Sequence, residues 1–224
     1  MGSLSEKQVA DAYDEIAEHI YEGPAMYRDT LALVPDCYGR ILDVGCGQGR
    51  FLELLKRRYP KITELAGCDI SPRLCAMARD RVSGAEISVC NAERLDPYPD
   101  SRFDFVFMVG SLEHMQDHLA ALTAACRVLR QNGKLIVSVP NREWIRYERW
   151  ASRHKQGQPV DDYWFRPAEL SSLCVRAGFM VEEMRGVWAL LRGNWIHVIE
   201  NWAATLFPRL HYKMKCIGIR CRKL

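Results

Sequence analysis

Apolar residues change their spacing along this chain, and the changes mark its elements. Near the start, Leu4, Val9, Tyr13, Ile16 and Ile20 recur at helical intervals among charged residues, which predicts an amphipathic helix ending near Gly23 and Pro24. A second helix is expected over residues 25–34. The pattern then becomes a short apolar run, Arg40-Ile41-Leu42-Asp43-Val44, closed by glycines. Helical spacing returns with Phe51, Leu52, Leu54 and Leu55 in residues 50–59, so this stretch reads as strand, glycine turn and helix. The alternation repeats: strand 65–70, helix 72–82, strand 86–90, strand 103–109, helix 119–129 and strand 135–139. Strands alternating with helices predict an α/β domain, a parallel sheet covered on both faces and joined by right-handed crossovers.

Beyond Pro140 the texture changes, because all six tryptophans (Trp144, Trp150, Trp164, Trp188, Trp195 and Trp202) fall there. Helices are expected over 142–154, 167–177 and 194–206, and a final strand over 213–222. No Gly/Ser/Pro-rich linker separates this part, so residues 1–224 are read as one domain: N-terminal helices over 1–38, a core over 39–140 and an elaboration over 141–224.

Composition narrows the class. The chain has 224 residues, 48% of them hydrophobic and 26% charged, which excludes disordered, collagen-like and coiled-coil classes. A net charge of +3 gives no reason to expect nucleic acid as a partner, since that depends on clustered Lys and Arg. The nine cysteines are an odd number without paired CxxC spacing, so reduced thiols and no metal are expected; Cys216 and Cys221 read as small buried hydrophobes. The opening residues lack a basic start followed by an apolar run, and no stretch has the length of an uncharged membrane span. A cytoplasmic protein is expected.

The candidate chemistry begins at Asp43-Val44-Gly45-Cys46-Gly47-Gln48-Gly49, where the first strand meets the first sheet-covering helix. Open α/β sheets bind ligands at such a junction, and glycines let the backbone approach the ligand closely. The spacing is GxGxG, with Arg50 where a dinucleotide fingerprint would continue, which argues against NAD.

ILDVGCGQG resembles the first motif of the class I S-adenosylmethionine-dependent methyltransferases, in particular the broad small-molecule group that includes the ubiquinone and menaquinone pathway enzymes. Further segments over about residues 9–185 resemble the family in the proper order: AGCDIS, Cys90-Asn91-Ala92-Glu93, Phe103-Asp104-Phe105-Val106, Val109-Gly110-Ser111-Leu112-Glu113-His114, Leu129 to Leu135 and Ala177-Gly178-Phe179. The resemblance implies a Rossmann-like fold with a mostly parallel seven-stranded sheet, S-adenosylmethionine as donor and S-adenosylhomocysteine as product. It implies that Gly45, Cys46, Gly47 and Gly49 form the donor loop, that Asp43 orders it, that Asp69 accepts from both ribose hydroxyls and that Ile70 packs on the adenine. Asn91, with Ala92 and Glu93, stands where the family carries an acid that accepts from the adenine amino group; its amide oxygen can still accept. Val109 and Gly110 lie under the donor in the family, and a tyrosine such as Tyr13 sits on an N-terminal lid helix.

Methyl transfer from a sulfonium is an in-line displacement for which positioning supplies much of the acceleration. His114 is the candidate general base for a hydroxyl acceptor, with shaping of the pocket from a helix start as its alternative role. Glu113 is a second catalytic candidate, as orienter or base, against the reading of an exposed helix-start carboxylate. Tyr13 also fits plain core packing, and Tyr27 is a weaker candidate. His118 and His154 are expected at the surface. Trp144, Arg146, Tyr147, Trp150, Tyr163, Trp164 and Phe165 suit an aromatic acceptor pocket, though helix packing explains them equally. The basic tail, Arg209, Lys213, Lys215, Arg220, Arg222 and Lys223, follows apolar residues 195–206; it fits a terminal strand, with peripheral membrane contact as the alternative. The activity expected is methylation of O, N or C on a small-molecule acceptor; a protein or RNA methyltransferase, and a non-catalytic donor-binding scaffold, are the competing readings.

Overall fold

A computed structural model describes residues 4–18, 24–34, 36–144, 147, 163–187 and 214–224. The expected helix over 194–206, most of that over 142–154, Arg146, Trp150, His154, Trp188, Trp195, Trp202, Arg209 and Lys213 lie outside the described residues.

Seven strands form one sheet: β1 (Gly39–Val44), β2 (Ile62–Asp69), β3 (Glu86–Val89), β4 (Phe103–Val109), β5 (Leu129–Pro140), β6 (Phe179–Val187) and β7 (Cys216–Lys223). Their spatial order is β3-β2-β1-β4-β5-β7-β6. The first five are parallel, while β7 is antiparallel to both neighbours. The order reverses between β1 and β4, and a sheet of this kind leaves a ligand crevice beyond the carboxyl ends of its strands at that point.

All seven residues of β4 are buried, and from Phe105 to Val109 their side chains divide by parity between two cores. Phe105, Phe107 and Val109 join the core under α2 (Pro24–Leu31), α3 (Arg50–Arg58) and α4 (Pro72–Arg81). Val106 and Met108 join the core under α5 (His118–Val128) and α6 (Pro167–Arg176). Burial on both faces explains why β4 is an unbroken apolar run interrupted only by Asp104, whose carboxylate takes the Arg40 N–H at 2.6 Å and the Arg130 guanidinium at 2.6 Å.

Helix starts follow local chemistry. Ser71 accepts from Leu74 N at 3.0 Å with Pro72 in the first turn of α4, and Asp117 accepts from Ala120 N at 2.9 Å at the head of α5. The N-terminal helix, α1 (Glu6–Ile16), starts in a Ser5/Gln8 capping box. It ends at Ile16 rather than near Gly23.

Two strands begin earlier than expected. β2 starts at Ile62, where Ile62 and Glu64 run beside Gly39 and Arg40, and β5 starts at Leu129, opposite Phe103. In both, charged residues occupy the strand start, so the apolar pattern appears only later. The end of the chain is a strand. Arg220 and Arg222 of β7 reach Glu182 of β6 at 3.2 and 3.4 Å, and Arg220 also reaches Glu183, so these tail charges are cross-strand ion pairs. No helix among the described residues is long and apolar enough to cross a membrane.

Candidate functional site

Residues 45–49 join β1 to α3 in a conformation that glycine allows. Gly45, Gly47 and Gly49 have φ of 73°, 51° and 80°, in the left-handed region. The backbone N–H groups of Gly45 and Cys46 both donate to Cys68 O, at 2.8 and 2.9 Å, which fastens the turn to the end of β2. Space is also short, because a Cβ on Gly45 would lie 2.4 Å from that of Ser111. Ser111 in turn donates its hydroxyl to Val44 O at 2.7 Å, joining the ends of β1 and β4.

A cavity of about 290 Å³ opens beyond the carboxyl ends of β1 to β4. Asp43, Gly45, Cys46 and Gly47 line it from the turn, Asp69 and Ile70 from the end of β2, and Asn91, Ala92 and Glu93 from the loop after β3. Val109, Gly110 and His114 line it from β4 and beyond, and Tyr13 from α1, its ring edge-on to that of His114 at 6.0 Å. Of the donor-loop and catalytic candidates, two are not on this wall. Gly49 is the N-cap of α3, where a Cβ would come within 3.1 Å of Ala78, and Glu113 sits behind the wall.

Glu113 is a correction to the exposed helix-start reading. Residues 112–114 form a 3-10 turn that tucks Leu112 and Glu113 inward, leaving Glu113 only 5% exposed, and α5 begins four residues later at its own cap. His114 therefore belongs to that turn and not to a helix start. His118 is a second correction: its ring packs 4.8 Å from both Tyr163 and Phe165, and burial pushes its pKa down.

Other lining residues carry no motif. Met26 and Tyr27 come from α2, Phe51 from α3, Leu74 from α4, and Met115 and Gln116 from the segment before α5. Their common signal is adjacency in sequence to a strand end or cap, which marks many more residues than it selects. The expected aromatic pocket residues gather elsewhere: Trp164 stacks with Trp144 at 6.3 Å and contacts Tyr147 at 5.1 Å, and none of Trp144, Tyr147, Tyr163, Trp164 and Phe165 lines this cavity.

The wall is polar at chosen points. Asp69 accepts the Gly47 N–H at one carboxylate oxygen and the Ser71 N–H at the other, each at 3.0 Å. A carboxylate carries only acceptors, and each of its oxygens can take more than one hydrogen bond, which suits two neighbouring hydroxyls as donors. Glu93 turns one oxygen to the N–H groups of Gln116 and Asp117, at 2.9 and 3.0 Å, and so ties the loop after β3 to the segment carrying His114. Burial and the charge of Asp69 hold the Cys46 thiol well above its usual pKa and push that of Cys75 up to about 12, so neither supplies a thiolate nucleophile.

Helix α1 closes one side, with Val9 and Tyr13 on the wall. It is fastened at both ends. Leu4 O accepts from Gln116 at 2.7 Å and Glu6 pairs with Arg94 at 3.0 Å; Asp14 takes the Ser71 hydroxyl and the Arg73 N–H, and Gln48 donates to Ala17 O at 2.6 Å.

Residues 42–137 match the family model described as a methyltransferase domain. The chain is 30% identical over 173 residues to the ubiquinone biosynthesis O-methyltransferase of Alkalilimnicola ehrlichii, covering 70% of this chain and 69% of that enzyme. It is 36% identical over 114 residues to the trans-aconitate 2-methyltransferase of Methylobacterium nodulans, where the match takes in 50% of this chain but only 43% of the relative. Among solved structures it is similar to a Thermotoga maritima S-adenosylmethionine-dependent methyltransferase described as a possible histamine N-methyltransferase, with a TM-score of 0.68 at 25% identity, over 96% of this chain and 94% of the other.

Proposed function

The chain belongs to the class I S-adenosylmethionine-dependent methyltransferases, and on that premise we propose that it methylates a small hydrophobic or aromatic acceptor. The observation that carries this reading is one continuous cavity with two kinds of wall. Asp69, Asn91, Gly45 and Gly47 line its β1 to β3 side, while Met26, Tyr27, Val109, Met115 and His114 make the side near β4 largely apolar.

The residues present fit the donor. The bound donor supplies an electrophilic methyl on a sulfonium. Asp69 accepts from the ribose diol, since each carboxylate oxygen can take more than one hydrogen bond, and Ile70 packs beside the base. Gly45 and Gly47 let the backbone come close, with Asp43, buried beneath them, shaping the turn. The apolar side excludes water and orients the acceptor. His114 faces the cavity and takes the proton from an acceptor hydroxyl, with Tyr13 packed at its edge. Glu113, buried behind it, orients this turn and does not meet substrate. Residues 1–38 act as a lid, residues 39–140 as the donor core and residues 141–224 as acceptor-side elaboration, in a cytoplasmic enzyme.

The test is a transfer assay with methyl-labelled S-adenosylmethionine and a panel of phenols, catechols and quinone-like compounds. Label in the organic product with equal S-adenosylhomocysteine is the expected result. Donor binding without turnover on any phenolic or quinone-like acceptor would instead favour a donor-binding scaffold.

A further inference from the structure

On the β4 side of the cavity, Met26 of α2 owes its place to a side chain that is missing opposite it. Gly110 follows the last residue of β4 with φ of 69°, and a Cβ built on it would lie 2.7 Å from the Met26 methyl carbon. The methyl therefore rests on the bare Gly110 backbone, in space that any other residue at 110 would need for itself. That seat is held firmly. The Gly110 N–H donates to Ser138 O at 2.8 Å, and the next residue, Ser111, donates its hydroxyl to Val44 O at 2.7 Å.

The helix that carries Met26 is held as well. It leads into Leu33 and Val34, buried like Leu31, and Val34 O accepts from the Tyr59 hydroxyl at 2.6 Å. Neighbouring wall residues are fixed by rings and by the sheet: Tyr27 packs on Phe51 at 5.2 Å, Phe51 meets Phe107 at 5.3 Å, and Val109 belongs to β4. Between two fixed backbones, the unbranched and polarizable thioether of Met26 is the adjustable part of this side. It lines the cavity together with Gly110 and His114.

Position decides what this side chain meets. With a nucleoside on Asp69 and the glycine turn, at the ends of β2 and β1, in-line attack brings the acceptor from the side of β4, where Gly110 and His114 stand. Space there is short. The cavity measures about 290 Å³, at the lower limit of ligand pockets of roughly 300–1,000 Å³, and is to hold donor and acceptor together.

We propose that Met26 limits the size of the acceptor: seated on Gly110, its thioether fills the place that a bulky substituent of the acceptor would take. The inference rests on the reading of the β4 side as the acceptor side, and it holds whether or not His114 removes a proton.

The experiment is initial-rate methyl transfer to the smallest active member of the phenol and catechol panel and to its 4-tert-butyl derivative, by the wild type, Met26→Ala, Met26→Val and Met26→Leu. The ratio of the two kcat/KM values cancels losses of folded protein or of donor affinity, which lower both alike. The wild type is expected to prefer the small acceptor by about tenfold or more, the scale of a misfit in a closed apolar pocket. Met26→Ala is expected to move the ratio about tenfold or more toward the bulky acceptor, and Met26→Val to move it less. Met26→Leu, of similar volume, is expected to stay within about threefold of the wild type. Should Met26→Ala fail to fold, Met26→Val reads the same ratio. A wild type that takes both acceptors equally, or a ratio that neither shortened side chain moves, overturns the inference and leaves the methyltransferase reading intact. If no member of the panel is methylated, the acceptor reading falls, and this inference with it.

Discussion

The backbone N–H of Gly47 donates to a carboxylate oxygen of Asp69 at 3.0 Å, so the turn after β1 and the end of β2 share one side chain. The other oxygen holds Ser71 N, at the head of α4. Asp69→Ala removes these bonds and the proposed diol contacts together. Loss of two hydrogen bonds to a charged acceptor corresponds to roughly a hundredfold or more in affinity, at about 1.5–3 kcal/mol each. Calorimetry with S-adenosylhomocysteine is expected to show that weakening, with Asn in the same place falling between.

Gly45 and Gly84 have nearly the same φ, 73° and 79°, but different surroundings. A Cβ on Gly84 meets nothing within 4 Å, whereas on Gly45 it overlaps Ser111. Gly84→Ala is expected to cost about 1–2 kcal/mol from left-handed backbone strain alone. Gly45→Ala adds overpacking of a further 1–3 kcal/mol or so. Urea midpoints of the two variants measure the difference; equal shifts would show that the turn can move away from Ser111.

His114 is the cavity's candidate base. With a phenolic acceptor, His114→Gln is expected to lower kcat roughly 10²- to 10⁴-fold and to abolish the acidic limb of the kcat–pH profile. A variant that loses rate but keeps the wild-type pH profile would leave His114 a shaping role only.

His118 gives a pH signature of stability. Burial holds its pKa below the usual value, against weaker opposing effects of Glu169, Asp117 and Glu93, and its Nε2 has no hydrogen-bond partner among the described residues. The folded form therefore keeps the ring neutral where the unfolded chain takes up a proton. Its contribution is fully present above about pH 6.5 and is lost as pH falls toward the folded-state pKa, with a slope of at most about 1.4 kcal/mol per pH unit. Chemical unfolding of the wild type and His118→Phe at stepped pH is expected to show the wild type losing stability faster through that window. Parallel curves would place the titration elsewhere.

Sequence legibility followed the range of the forces involved. The β1 turn was readable because its glycines are a local requirement of backbone shape, and β4 because burial on both faces leaves a continuous apolar run. The starts of β2 and β5 were hidden, since pairing of Glu64 with Arg40 and of Leu129 with Phe103 is non-local. Glu113 misled for a similar reason. Its place before α5 suits a solvated carboxylate, and only the inward 3-10 turn buries it. Met26, Phe51, Leu74 and Gln116 come from four separate segments, and nothing in their local spacing announces that they meet at one cavity.

The fastening of α1 makes a statement about residence time. Leu4 and Glu6 hold one end of the helix through Gln116 and Arg94, and Asp14, Glu18 and Ala17 hold the other through Ser71, Arg73 and Gln48. Helix α1 covers one side of a ligand held against Asp69, so the off-rate of that ligand is expected to depend on these fastenings. Two of the fastenings, Glu6 with Arg94 and Glu18 with Arg73, are half-exposed ion pairs, the kind that salt screens within about 8–10 Å at ordinary ionic strength. Release of the product nucleoside is thereby coupled to the ionic medium, although that nucleoside has no net charge of its own.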